Sequence, residues 1–340
     1  MSRASGLGSW PGTSALDFRE SLRVVRDTMG DESRTDVPGI AYLPEMPGRG
    51  PGADMIGRTA GMLVELPVDL QPSGWRLVDR PGRDVRQARS WLRADLDELA
   101  EAYDGWDGDL KIQVAGPWTL AAQLRVARGE RVVVDAGACR EVTASLAEGL
   151  RLHLAEVRKL VPGARLVAQL DEPLLPAVLA GELATSSGFG RLRAIDPEDA
   201  RRGLQEVIDA ARTAGAAETV VHSCAPGTPF TLLRQAGADG VSVDVALLRE
   251  REWESVAVCV EAGVRLWAGA LPTDDLTRPA TVVAHDVERP WRALGLQPGL
   301  LDGVVLTPAC GLAGATPTGA TRAHRTLVEA AAELTEASTR

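Results

Sequence analysis

His222, Cys224 and Cys310 are soft, metal-competent side chains, each set just past a short hydrophobic run. The first two close Thr219-Val220-Val221-His222-Ser223-Cys224, and the third follows Gly303-Val304-Val305-Leu306-Thr307-Pro308-Ala309. Side chains alternate along an extended chain, so His222 and Cys224 point to the same side and can hold one ion between them. An imidazole with two thiolates is a ligand set that suits zinc. Converging at one end of a sheet, the three would make a zinc site for a soft nucleophile, a thiol above all. Asp244 ends the run Val241-Ser242-Val243-Asp244 one strand after His222 and is the candidate for a fourth ligand; a helix N-cap or an ion-pair partner is its other reading.

The second group of candidates is acidic. Asp171-Glu172-Pro173 follows the apolar run Leu166–Leu170, and adjacent residues there point to opposite sides. One carboxylate should face the strand-end site while the other anchors a neighbouring loop. Two roles are open for such a pair: general acid and base, or capture of a substrate ammonium by charge-assisted hydrogen bonds. Glu45, in the Gly- and Pro-rich stretch 44–54, is a further acid in what reads as an active-site loop. Gly8-Ser9-Trp10-Pro11-Gly12 is either a loop whose backbone approaches a substrate carboxylate or an ordinary turn. Trp118 and Trp267 stand at strand ends, where they either stack on a flat ring or fill the core. Cys139 and Cys259 sit in helix-like surroundings and read as packing residues.

These residues need a scaffold that brings them together. From residue 110 onward strands and helices alternate: strands at 110–115, 165–170, 219–222, 240–244, 264–268 and 303–306, and helices at 135–161, 197–214, 228–236, 250–262, 279–294 and 317–336. Pro162-Gly163 stops the long helix, and Asp196-Pro197 opens the next with an N-cap and a Pro at the first turn. This alternation implies a parallel sheet covered by helices, and the chain before residue 110 has room for two more units. Eight units make a (β/α)₈ barrel, a TIM barrel, spanning 1–340 as a single α/β domain. A doubly wound open sheet is the runner-up, weakened by the lack of Gly-x-Gly-x-x-Gly after a first strand. In a barrel the chemistry gathers at the C-terminal strand ends, which is where all the strand-end candidates fall.

Composition narrows the function classes. The chain has 340 residues, 45% of them hydrophobic, a net charge of −10 and only two lysines. No basic stretch is dense enough to track phosphates, so nucleic acid is not an expected partner. No uninterrupted apolar run of about 18 residues is present, and the first residues lack a hydrophobic signal core. Four cysteines make no disulfide framework. A cytoplasmic, reducing home without membrane contact is the expectation.

The ordered motifs resemble the C-terminal catalytic barrel of cobalamin-independent methionine synthase, in the superfamily that also contains uroporphyrinogen decarboxylase. The resemblance is carried by Gly8-Ser9-Trp10-Pro11, Gly116-Pro117-x-Thr119, Gln169-Leu170-Asp171-Glu172-Pro173, His222-x-Cys224, the Val-Ser-Val-Asp strand and Ala309-Cys310-Gly311-Leu312. It implies zinc held by His222, Cys224, Asp244 and Cys310, with Asp244 standing where the family has Glu. It implies that Gly8, Ser9, Glu45 and Asp171 hold the amino-acid end of homocysteine. The implied reaction moves a methyl group to that thiol, forming methionine, with 5-methyltetrahydrofolate polyglutamate as donor.

Three departures accompany the resemblance. A family Glu beyond Asp-Glu-Pro has no counterpart in Pro176-Ala177-Val178. The family's catalytic His after a late strand is replaced by a segment in which Asp274 or Asp275 would serve as proton donor. The N-terminal barrel of the long enzymes, which helps to bind the folate, is not matched. A methylated corrinoid protein, which would need no proton donor, therefore stays open as the methyl source. A metal-free enzyme like uroporphyrinogen decarboxylase and a non-catalytic zinc- or corrinoid-binding barrel are the competing readings.

Overall fold

A computed structural model describes residues 1–30, 39–127 and 129–340. Its ten strands, in chain order, are β1 Arg3–Ala4, β2 Ala41–Tyr42, β3 Val68–Gln71, β4 Gly74–Leu77, β5 Asp109–Ala115, β6 Arg165–Asp171, β7 Glu218–Ser223, β8 Gly240–Asp244, β9 Arg265–Leu271 and β10 Val305–Pro308. Eight of them form one parallel sheet in the order β1-β10-β9-β8-β7-β6-β5-β2. The remaining two, β3 and β4, pair as an antiparallel hairpin to one side.

Every residue of β5 and β7 is buried. Parallel strands covered on both faces need such runs, since one side chain in two meets the helix layer and the other meets the inside of the curl. The helices supply the outer layer. Helix 136–160 turns Val142, Leu146, Leu150, Leu154 and Val157 inward, and Asp135 caps it by accepting from the Gly137 and Ala138 N–H groups. Helix 197–213 is capped by Asp196 with Pro197 in its first turn, as its sequence predicts.

The sheet curls. Ile40, Val167, Val220, Trp267 and Val305, from five strands or their approaches, form a cluster separate from the main core. The Trp267 indole N–H donates to Glu218 at 3.1 Å, which fixes this tryptophan as packing. The two edge strands meet at a parallel bridge, Ser5 opposite Ile40, with the Ile40 N–H donating to the Ala4 carbonyl at 2.8 Å. Among the described residues no helix is long and apolar enough to cross a membrane.

Candidate active site

Register decides which side chains share the inner face above the apolar cluster. Asp171 lies opposite His222, and His222 opposite Ser242, on neighbouring parallel strands. Residues paired this way in a parallel sheet point to the same side. Gln169 and Asp171 on β6 and His222 on β7 therefore line one surface, Gln169 beside Val220 of the apolar cluster and the Asp171–His222 pair two residues above it.

His222 is buried and its Nδ1 lies 2.8 Å from Asp171 Oδ1. The carboxylate orients the ring and leaves Nε2 buried without a hydrogen-bond partner. A histidine held through one nitrogen by a carboxylate, with the other free, is the usual arrangement of a metal-ligating imidazole. Cys224 and Cys310, 86 positions apart in the chain, bring their sulfurs to 3.5 Å. Their shared hydrogen bond takes Cys310 down to about 6 against the opposing effect of burial, with the Gly311 N–H and His222 adding to it. The same bond, with burial, pushes Cys224 well above the ordinary thiol range.

These donors suit a soft cation by their chemistry and by their strand-end placement. As the side chains stand, though, no three His, Cys, Asp or Glu groups among the described residues are arranged to hold a metal ion. Asp244 caps its own turn, accepting from the Ala246 N–H at 2.9 Å, and burial raises its carboxyl pKa. It also lines a cleft of about 670 Å³ with Gly269, Pro272, Asp274, Arg278 and Ala309, the neighbour of Cys310. Asp274 thus faces the same cleft as Asp244, whereas Asp275 accepts from Thr277 within its own turn.

The acidic candidates separate as their adjacency requires. Asp171 faces the site. Glu172 turns the other way and is wholly buried, accepting from the Trp118 N–H at 2.9 Å and from both the N–H and hydroxyl of Thr119 at 2.8 Å. It anchors the start of helix 117–123 and is not part of the site. Trp118 stands apart from the site too: its indole donates to Ala200 at 2.8 Å in the helix layer. Of its two sequence readings, stacking on a flat ring or filling the core, this contact agrees with the second.

Glu45 is drawn to the site by backbone pairing. Its N–H donates to the Gly8 carbonyl at 3.0 Å and its carbonyl accepts from the Trp10 N–H at 2.7 Å. Gly8 has φ +133°, and an added Cβ would lie 2.7 Å from the Gln113 side chain, so no other residue fits there. Ser9 packs on the Cys310 loop: the Leu312 N–H donates to its carbonyl at 3.1 Å and the Ala313 N–H to its hydroxyl at 3.3 Å. A Cβ on Gly311 would come within 2.0 Å of that hydroxyl. Gly8, Ser9, Glu45 and the Cys310 loop are therefore one unit, although they come from three parts of the chain.

Below them lie residues that the sequence reading did not single out. Lys111 and Gln113 of β5 are buried, as are Arg58 and Asp95. Burial lifts the Glu45 carboxyl to about 7 against the pull of Arg58, 3.8 Å away. Arg58 and Arg49 both pair with Asp95, at 3.0 and 2.7 Å, which fixes the guanidinium group that faces Glu45. A visible signal existed for the lysine: Lys111/Gln113 and Gln169/Asp171 are polar pairs two residues apart within otherwise apolar strands.

No protein-family model matches the sequence, and no curated protein matches it. Among solved structures the chain is similar to a B12-independent methionine synthase from Shewanella sp. W3-18-1 in complex with selenomethionine. The TM-score is 0.61 at 13% identity, over 98% of this chain and 97% of that one. It is also similar to GH5_18 from Streptomyces cattleya in complex with GlcNAc, with a TM-score of 0.46 at 15% identity over 98% and 80% of the two chains. At these identities the likeness is one of fold.

Proposed function

We propose that this chain is an enzyme, a zinc-dependent methyltransferase that converts homocysteine to methionine on a closed (β/α)₈ barrel spanning 1–340. The observation that carries the reading is the meeting of Cys224 and Cys310 beside a buried histidine whose Nε2 has no partner. Barrel closure is supported by the Ser5–Ile40 bridge between the edge strands. The fold likeness to a B12-independent methionine synthase agrees with the reading without carrying it.

His222, Cys224 and Cys310 would hold the zinc, with Asp244 as fourth ligand once it leaves its turn. When bound, zinc favours the deprotonated form of an incoming sulfhydryl, whose ordinary pKa near 8.5 leaves it mostly protonated at neutral pH. The chain's own groups do the rest. Asp171 keeps the imidazole oriented, and Asp171 with Glu45 offers two carboxylates to the substrate ammonium. The Gly8-Ser9 backbone lies beside them for the substrate carboxylate. The cleft next to Ala309 would take the methyl donor, and Asp274, which lines it, would protonate a poor amine leaving group. Methyltetrahydrofolate needs such an acid; a methylated corrinoid protein does not.

One observation favours a second reading, a metal-free barrel enzyme of the uroporphyrinogen decarboxylase kind: the donors are not preassembled around an ion. Against it, Arg58, which faces Glu45, and Arg49 are both paired with Asp95 and offer little to a polycarboxylate. A methionine-formation assay decides. Wild type supplied with homocysteine and either methylated folate or a methylcorrinoid should turn over, and Cys310→Ser should lose at least the roughly 10- to 100-fold that changing a mere outer-shell partner of a metal ligand costs. Full activity in that variant ends the zinc reading.

A further inference from the structure

Beneath the two carboxylates lies a chain of buried hydrogen bonds centred on the single lysine of the sheet interior. Lys111 Nζ donates to the Leu7 carbonyl and to Gln113 Oε1, both at 3.3 Å. The amide nitrogen of Gln113 donates to the Leu43 carbonyl at 2.6 Å and to Glu45 Oε1 at 3.1 Å. On the adjacent strand, Gln169 Nε2 donates to the same Leu7 carbonyl at 2.8 Å and to Asp171 Oδ1 at 2.7 Å. Two glutamines thus connect one ammonium and one carbonyl to two acids.

A glutamine amide has two ends of opposite polarity, and only its surroundings decide which faces which neighbour. With an ammonium on one side of Gln113, the oxygen must point to the lysine and both N–H groups must point away. That presents a donor to Glu45. Without the cation the amide oxygen loses its donor, and only the Leu43 carbonyl and the Glu45 carboxylate, both acceptors of its N–H groups, still hold the side chain. The second contact of Lys111 works on Leu7, which immediately precedes Gly8, the residue whose carbonyl receives the Glu45 N–H. The lysine therefore steadies both the side chain and the backbone of Glu45, and it shares the Leu7 carbonyl with the Gln169 amide that holds Asp171.

Resting on the homocysteine reading above, we infer that Lys111 is a positioning residue for substrate selection: through Gln113 and Leu7 it aims Glu45 and Asp171 at an ammonium, so the site prefers thiols that carry an amino group. Charge balance agrees with this. Burial lowers the lysine to about 8, opposed by Asp171 and Glu45, so it stays cationic at neutral pH. Its charge offsets part of the repulsion between two acids held in one apolar shell.

The test compares homocysteine with 4-mercaptobutyrate, which lacks only the amino group, by calorimetric binding to zinc-loaded wild type, Lys111→Met and Gln113→Leu. Wild type should favour homocysteine by about tenfold or more, the scale of one charge-assisted hydrogen bond. Lys111→Met should bring the ratio close to one while binding of 4-mercaptobutyrate stays within about twofold of wild type. Gln113→Leu should reproduce the part of that loss that runs through Glu45, and the double variant should fall short of the sum of the two, since the variants share the Gln113 arm. Equal weakening of both thiols in Lys111→Met, or additive losses in the double variant, would overturn the assignment. Should Lys111→Met fail to fold, an unchanged preference in Gln113→Leu overturns it alone. Wild type that binds neither thiol points instead to failure of the methyltransferase reading.

Discussion

Single residues in this site are tuned by what surrounds them. Glu45 is the clearest case, because burial places its carboxyl near neutrality instead of in the ordinary acid range. A carboxyl raised in the folded state becomes protonated as pH falls through about 7, and a protonated acid cannot pair with an ammonium. Homocysteine KM should therefore rise as pH drops from about 8 to 6, and Glu45→Gln should show a high KM with no such rise. A pH series of KM for both proteins checks this; identical pH dependence would remove Glu45 from the substrate site. The stability sign runs with it. A raised acid pKa makes folding weaken as pH climbs from the unfolded value of 4.5 toward 7, so Glu45 favours binding at the expense of stability.

At the level of elements, strand ends are tied to neighbouring helices by buried polar contacts. Glu172 closes β6 onto the start of helix 117–123 with three donors aimed at its two oxygens. Glu172→Gln would turn an N–H toward one of those donors, leaving it unsatisfied. Urea unfolding should show a loss of about 1–3 kcal/mol, while the preference for homocysteine is retained because the residue faces away from the site. Loss of homocysteine preference without loss of stability would mean that the acid points inward after all. The adjacency of Asp171 and Glu172 was enough to anticipate one inward and one outward carboxylate. Strands were legible where they were long: β5 covers Asp109–Ala115 against a reading of 110–115, and helix 136–160 differs by one residue at each end from 135–161. β1 and β2 have two residues each, too few to show alternation, and the β3–β4 hairpin gave no signal that was used. The sequence leaves Trp118 open because a tryptophan after a strand looks the same whether it enters the site or the helix layer. Lys111 was passed over because a charged residue in a strand usually faces solvent, and only its spacing from Gln113 says otherwise.

The molecule as a whole makes the site by curling one sheet until distant segments meet. Ser9 from the first loop touches the Cys310 loop some 300 positions later, and Asp171 orients His222 across a strand boundary. The central claim is that this convergence serves one cation with room for an incoming thiol. Zinc K-edge X-ray absorption on metal-loaded protein, with and without homocysteine, tests it most directly. About one zinc per chain with two sulfur neighbours, gaining a third sulfur on addition of homocysteine, is the predicted result. Absence of stoichiometric zinc, or a metal whose sulfur neighbours persist in Cys310→Ser and ignore homocysteine, would contradict it.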